Sequence, residues 1–202
     1  MKKLLIATAI LAASSTVAMA AGAPYVGVGL GLNSASNSIS INNGTTIKNL
    51  GARGALFDVF AGYGIVVNQN IYLGGEVFGS ATSAQGKITA PNGNFVRVQT
   101  KNSFGISLMP GVMLGEHTLA YLRAGIVRTS FNAANNSAGV YVSKNKSVNG
   151  GQLGLGLQTS LAQNIDLRGE YVYTSYRSFN VGAAKVSPNS DQFNLGVIYK
   201  FD

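Results

Sequence analysis

The chain has 202 residues, with 15 Lys and Arg against 7 Asp and Glu, a formal charge of +8, no cysteine and one histidine. Without cysteine it forms no disulfide and offers no thiolate chemistry, and a lone histidine leaves no Cys/His cluster for a transition metal. The length suits one domain, or slightly more.

The first 20 residues read MKKLLIATAILAASSTVAMA. Lys2 and Lys3 supply a positive end, Leu4 to Leu11 form a short apolar core, and Ala18-Met19-Ala20 gives a small-x-small cleavage pattern. This predicts a signal peptide over residues 1–20, cut before Ala21, and one domain over 21–202. The apolar core is shorter than the ~20 residues a membrane-spanning helix requires. After the leader no stretch suits such a helix, so a membrane location rests on strands.

Eight segments of alternating apolar residues follow. A membrane strand needs about 9–11 residues, one face toward lipid and the other toward the lumen. The first runs from about Tyr25 to Asn33, with Val26, Val28, Leu30 and Leu32 opposite Gly27, Gly29 and Gly31. The second covers Arg53 to Ile65, with Ala55, Phe57, Val59, Ala61 and Tyr63 outward and Asp58, Gly62 and Gly64 inward. A tight turn at Asn68–Asn70 leads to the third, Ile71 to Ala81, whose Glu76 points inward. The fourth spans Ser103 to Leu114. Its Pro110 cannot donate a ladder hydrogen bond, which predicts a bulge or local distortion.

A Gly115–His117 turn opens the fifth, Thr118 to Thr129, with Ala120, Leu122, Ala124 and Ile126 on one face and Arg123 on the other. The sixth, Gly150 to Leu161, alternates Leu153, Leu155 and Leu157 with Gly154, Gly156 and Gln158. A turn at Ala162–Asn164 opens the seventh, Ile165 to Thr174, with Arg168 and Glu170 inward. The eighth, Gln192 to Phe201, carries Phe193, Leu195, Val197, Tyr199 and Phe201 on one face.

Connections near Asn68, Glu116 and Gln163 are short; the others have about 15–20 residues, the turn-and-loop asymmetry of an outer-membrane barrel with an even strand count. The fold class is therefore all-β: an eight-stranded antiparallel transmembrane β-barrel, with short periplasmic turns and long extracellular loops. A soluble barrel would hide its apolar stripe inside, whereas here charges and glycines lie opposite that stripe. Tyr63, Tyr199 and Phe201 are expected near the periplasmic interface, and Phe57, Tyr173 and Tyr176 near the outer one.

The segments GALFDVFAGYGIVVNQNIYLGGEVFGS (residues 54–80) and FNLGVIYKF (193–201) carry a resemblance across essentially the whole mature chain. It resembles the small outer-membrane β-barrel family, which includes the membrane domain of OmpA-type proteins and the OmpX- and Opa-type surface proteins. The resemblance implies a mostly monomeric barrel without an open diffusion pore, in the outer membrane of a Gram-negative bacterium. It also implies that Val197, Tyr199 and Phe201 form the last-strand signal read by the barrel assembly machinery, here with Asp202 after the aromatic residue. Family members act as adhesins, envelope anchors, stress proteins or lipid-modifying enzymes, so it implies no one activity. With no soluble domain after the eighth strand, a direct tether to the cell wall is not expected.

Glu76, Arg123 and Glu170 each stand six residues into an upward strand, Arg168 lies one lumen-facing position below Glu170, and Asp58 enters from a downward strand. In a narrow lumen these five are expected to form a structural network of ion pairs. A gated ion path and a buried catalytic carboxylate pair are the competing readings.

The outer loops and strand rims hold Lys48, Arg53, Lys87, Arg97, Lys101, Arg128, Lys144, Lys146, Arg177 and Lys185 against Asp191 alone, ten positive charges against one negative. Such a one-signed field concentrates anions. The expected partners are outer-membrane lipid and lipopolysaccharide, then a sulfated or sialylated host glycan or an acidic surface protein. No recognition motif supports nucleic acid. Asn43-Gly44 between Ile41 and Ile47, and Pro91-Asn92-Gly93-Asn94 between Ile88 and Phe95, favour hairpins, and Val140-Tyr141-Val142 extends the sixth strand. Ordered ribbons and flexible Asn/Ser-rich loops both fit.

His117 stands in a periplasmic turn, so a lipase-type deacylase lacks its base at the outer rim. The glycine-rich segments alternate with apolar residues inside strands and do not form phosphate loops, and no EF-hand spacing is present. The sequence thus points to a non-enzymatic surface protein without cofactor or metal. A low-conductance channel is the alternative, and a lipid-modifying enzyme comes third.

Overall fold

The alternation of apolar and small or polar residues folds into strands much longer than a bilayer requires. The computed structural model describes residues 22–41, 46–68, 70–83, 85–89, 95–137, 140–181 and 184–201. Within these, the side chains of residues 37–52, 68, 85–89, 95–100, 131–137, 140–146, 179–181 and 184–187 are not described. The expected signal peptide over residues 1–20 and the expected hairpin turns at Asn43-Gly44 and Asn92-Gly93 fall outside the described residues.

The strands are β1 (Gly22–Ile41), β2 (Thr46–Asn68), β3 (Ile71–Thr82), β4 (Gln85–Thr89), β5 (Phe95–Met113), β6 (Thr118–Ser137), β7 (Val140–Ala162), β8 (Ile165–Tyr176), β9 (Phe179–Val181) and β10 (Ala184–Lys200). Eight of them form the wall in the order β1-β2-β3-β5-β6-β7-β8-β10, and β10 returns to β1 along a register from Tyr25↔Lys200 to Ile41↔Ala184. Every neighbour pair is antiparallel, so the sheet closes without an edge at membrane level. β4 pairs with β5 and β9 with β10 as short additions in the long connections.

The three short turns lie at one end. Between β5 and β6, Gly115 adopts φ 84°, the left-handed region that glycine enters without steric cost. The turn is closed by Leu114 N–H donating to Thr118 O at 2.7 Å. Asn164 Nδ2 donates to Lys200 O at 3.0 Å, tying the β7–β8 turn to the last strand.

At the other end the strands outrun the wall. Pairing of β2 with β3 stops at Leu56↔Thr82, and pairing of β7 with β8 at Gly150↔Tyr176. Pairing of β1 with β2 runs on to Ser40↔Thr46, and that of β6 with β7 to Ser137↔Val140. The hairpin segments thus rise as paired ribbons, the ordered alternative of the two.

Side-chain placement is that of a membrane barrel. Leu30 is 68% exposed and Leu153 67%, while Glu76 and Arg168 are each 3% exposed. A protein dissolved in water would reverse this, because each exposed apolar side chain forfeits about 1.5–3 kcal/mol of burial; lipid removes that cost. Inside, Tyr72, Met109, Leu119 and Tyr121 pack toward the turn end. Tyr25, Phe60 and Ile198 pack at mid-height, and Val127, Val148 and Tyr176 toward the outer end.

One expectation needs correction. Tyr176 does not join an outer aromatic girdle: it is 8% exposed and accepts a hydrogen bond from Thr129 Oγ1 at 3.2 Å inside the lumen. Alternation from Ile165 through Tyr173 puts even-numbered residues of β8 inside, and that parity outweighs an aromatic's preference for the interface. At Pro110 the expected distortion takes the form of a gap in one ladder rather than a bulge. It stays in register opposite Leu73, while Met109 and Pro110 drop out of the ladder to β6. The shift in that ladder lies between Thr100 and Ser103.

Candidate functional site

The lumen-facing parity of β3, β6 and β8 brings Glu76, Arg123, Arg168 and Glu170 together. Arg123 Nη2 donates to Glu76 Oε1, and its Nε lies 3.0 Å from Glu170 Oε2, an ion pair whose N–H is not aligned as a hydrogen bond. Arg168 Nη1 donates to Glu76 Oε2 at 2.6 Å. Side-chain exposures are 0% for Glu76, 4% for Arg168, 4% for Glu170 and 6% for Arg123. Two cations and two anions neutralise one another, which lets four charges occupy a buried interior.

The surroundings complete the site. Tyr25 OH donates to Glu76 Oε2 at 3.1 Å and Tyr121 OH to Glu170 Oε2 at 2.7 Å. The Arg168 guanidinium carbon lies 4.5 Å from the Phe60 ring centroid and 5.5 Å from those of Tyr25 and Tyr121. The Arg123 carbon lies 5.2 Å from the Phe78 centroid. Planar guanidinium groups lie well against aromatic faces, so rings replace water around both cations.

Asp58 faces the same lumen within electrostatic reach of Arg123, Arg168 and Glu170, but forms no ion pair with them among the described residues. It pairs in register with Ser80, four residues beyond the Gly62↔Glu76 level, an offset of about 13 Å along the strand. Its Oδ1 is buried without a hydrogen-bond partner. Gly29, directly opposite, leaves it room: a Cβ there would stand 2.5 Å from that oxygen.

A second polar group, not singled out from the sequence, continues the chain toward the turns. Arg168 Nη2 donates to Gln158 Oε1 at 3.1 Å, and Gln158 Nε2 to Asp166 Oδ2 at 2.7 Å. Asp166 Oδ1 accepts from Ser160 Oγ at 2.9 Å and pairs with Lys200 Nζ at 3.0 Å. Replacing Lys200 by Met should lower stability by about 1–2 kcal/mol, because Asp166 keeps two hydrogen bonds but loses its cation. A urea midpoint equal to wild type would show that the partly exposed lysine contributes nothing.

Above the quartet polar side chains share the lumen with the Val127, Val148 and Tyr176 cluster, and among the described residues Asp58 is its one charge. Ser103 and Thr129 hydroxyls meet at 2.8 Å, Gln152 Nε2 donates to Thr174 Oγ1 at 3.2 Å, and Ser190 Oγ donates to Asn33 Oδ1 at 3.0 Å.

The outer cations stand elsewhere. Arg53, Lys101, Arg128 and Arg177 are exposed. Lys48 lies on β2, Lys87 on β4, Arg97 on β5, Lys144 and Lys146 on β7 and Lys185 on β10, all in the outer halves; the side chains of these six lie outside the described residues. Asp191 accepts a 2.5 Å hydrogen bond from Tyr171 OH. At the opposite end Val197, Tyr199 and Phe201 face outward. The rings of Tyr199 and Phe201 meet edge to face at 5.0 Å, and Phe201 N–H donates to Pro24 O at 2.9 Å. His117 is exposed in its turn, 4.0 Å from Glu116.

Comparison with known proteins agrees with this architecture. A family model described as the outer membrane protein beta-barrel domain matches residues 4–201. No curated protein matches the chain. Among solved structures, neisserial surface protein A is 18% identical, with TM-score 0.51 over 88% of this chain and 97% of that one. The outer membrane protease OmpT from Escherichia coli is 9% identical, with TM-score 0.55 over 93% and 99%. Ail, the attachment invasion locus protein of Yersinia pestis, is 18% identical, with TM-score 0.44 over 88% and 98%. At these identities the likeness is one of fold.

Proposed function

The chain belongs to the outer-membrane protein β-barrel family, and we propose that it is a non-enzymatic surface protein whose filled barrel anchors basic ribbons. Membership places it in the outer membrane of a Gram-negative bacterium. The ribbons contact lipopolysaccharide phosphates and capture an acidic external partner, a sulfated or sialylated glycan or an acidic protein.

The observation that carries this reading is the separation of charge. The lumen cations are consumed in internal pairs, whereas Arg53, Lys101, Arg128 and Arg177 are exposed at the outer end and form no ion pair among the described residues. Lys48, Lys87, Arg97, Lys144, Lys146 and Lys185 add to the same end. Such a field raises the local concentration of anions. A channel is disfavoured by the buried quartet and its rings, which fill the narrow lumen at mid-height. A catalytic role is disfavoured because the single histidine stands in a turn at the far end from the ribbons.

Binding of the refolded barrel to immobilised heparan-type glycan, followed from low to physiological salt, tests the proposal. Saturable binding should persist at physiological salt, where the Debye length is about 8 Å, and disappear when Lys87, Arg97, Lys101, Lys144 and Lys146 are changed to Gln. Binding lost below physiological salt would restrict the charges to lipopolysaccharide. Steady single-channel currents in a planar bilayer would replace the anchor reading by the channel.

A further inference from the structure

We infer that the outer wall between β5 and β8 holds a seat for one phosphorylated glycolipid of the outer leaflet, gripped by Arg128 and Arg177. The inference rests on the lipopolysaccharide contact proposed above and assigns it a place and a geometry.

Arg128 pairs in register with Asn149, and Arg177 N–H donates to Asn149 O at 3.0 Å. The two arginines therefore occupy one row on strands two apart, about 10 Å from each other at a strand spacing of 4.7–4.9 Å. Both are exposed and continue the outward parity of Ile126 and Tyr173. Neither has an anionic partner among the described residues. An arginine at the edge of a lipid-facing band snorkels its head toward phosphate level, and its planar fork matches phosphate oxygens.

Directly below them the wall is hollowed. Ile126 pairs with Gly151 and Gly151 with Ser175, so the row beneath Arg128–Asn149–Arg177 carries two small residues. They and Phe104, Ile106 and Ile126 line a groove of about 750 Å³ that also includes both arginines. A Cβ built on Gly151 would meet nothing within 4 Å. Two cations over an open apolar groove complement an amphiphile with an anionic headgroup and acyl chains running down the wall. Free phosphate would use the cations and leave the groove empty. Arg53, on β2, is not among the groove-lining residues.

The test is native mass spectrometry of the refolded barrel in detergent, titrated with bis-phosphorylated lipid A. Arms with dephosphorylated lipid A, phosphatidylglycerol and inorganic phosphate accompany it. Wild type should retain one lipid A through mild activation. The R128A/R177A variant should weaken retention about tenfold or more, by loss of two cations near the headgroup. G151L fills the groove at a position with room for a side chain and leaves both cations in place; it should weaken retention comparably. Dephosphorylated lipid A and phosphatidylglycerol should bind less well, and inorganic phosphate should not compete.

Wild-type retention of lipid A that neither variant alters would overturn the seat while leaving the wider lipopolysaccharide contact standing. Loss in R128A/R177A with G151L unchanged, equal binding of phosphatidylglycerol, or competition by inorganic phosphate would likewise overturn it. No retention by wild type would remove both the seat and the contact on which it rests. Unchanged far-UV circular dichroism and urea midpoint for each variant exclude misfolding as the cause of a loss.

Discussion

Replacing Arg168 with Met lowers the unfolding free energy of the refolded barrel by about 3–5 kcal/mol, the cost of leaving a buried charge without its partner. The stranded charge is Glu76, whose side chain has no exposure to solvent. Arg123 remains beside it but is shared with Glu170, so three charges carry a net −1 where four were neutral. Methionine fills similar volume against Phe60, Tyr25 and Tyr121, which limits the cavity contribution. With nine tyrosines and no tryptophan, unfolding in urea is followed by tyrosine emission in detergent micelles. A loss below about 1 kcal/mol, the range of exposed pairs, would mean that water reaches the quartet.

The companion variant decides whether the loss is electrostatic. Glu76→Gln in the Arg168→Met background removes one charge of each sign and restores neutrality, so the double variant should lose clearly less than the two singles added together. Exchange of Arg123 and Glu76 is a weaker rescue. It would set a new arginine at position 76 against Arg168, which already points at that site. Partial recovery in the exchange with fuller recovery in the matched removal is the pattern expected of a four-member cluster. Independent, additive losses would dissolve the cluster into unrelated contacts.

The legible part of this molecule is the part that lipid forces to alternate. Leu153, Leu155 and Leu157 must face outward, and their register then places Gln152, Gly154, Gly156 and Gln158 inside; the sequence pattern and the structure agree there because one physical demand sets both. The same parity brought Glu76, Arg123, Arg168 and Glu170 to one level. Asp58 shows where the argument stops: its facing was legible, but its height depended on the β2–β3 register, which no single strand encodes. Asp166 with Lys200 was missed for a related reason. Their strands pair through Ile198↔Asp166, and a terminal lysine looks like an exposed strand end until that register is known. The ribbons were legible only through Asn-Gly pairs between alternating residues and through Val140-Tyr141-Val142. Above the membrane neither face meets lipid, so the alternation that marks a strand fades while the ladder continues.

The second large effect concerns a position with no side chain. Gly156 lies opposite Tyr121 in register, and a Cβ at Gly156 would stand 2.3 Å from both Cζ and OH of that ring. The phenol cannot swing clear without cost. Its hydroxyl donates to Glu170 Oε2, its ring borders the Arg168 guanidinium, and Tyr72, Met109 and Leu119 pack around it. Gly156→Val should therefore destabilise by about 3 kcal/mol or more, combining overpacking of roughly 1–3 kcal/mol with loss of a hydrogen bond to a charged acceptor. Two controls separate this collision from the general effect of removing glycine from a strand. Gly75→Ala, where a Cβ meets nothing within 4 Å, should be neutral or mildly stabilising, since Ala has less backbone freedom to lose. Tyr121→Ala in the Gly156→Val background should cost much less than Tyr121→Ala alone, because valine then occupies part of the space the ring left. If Gly156→Val matches Gly75→Ala, the lumen has slack at this height, and the dense filling that disfavours a channel fails with it.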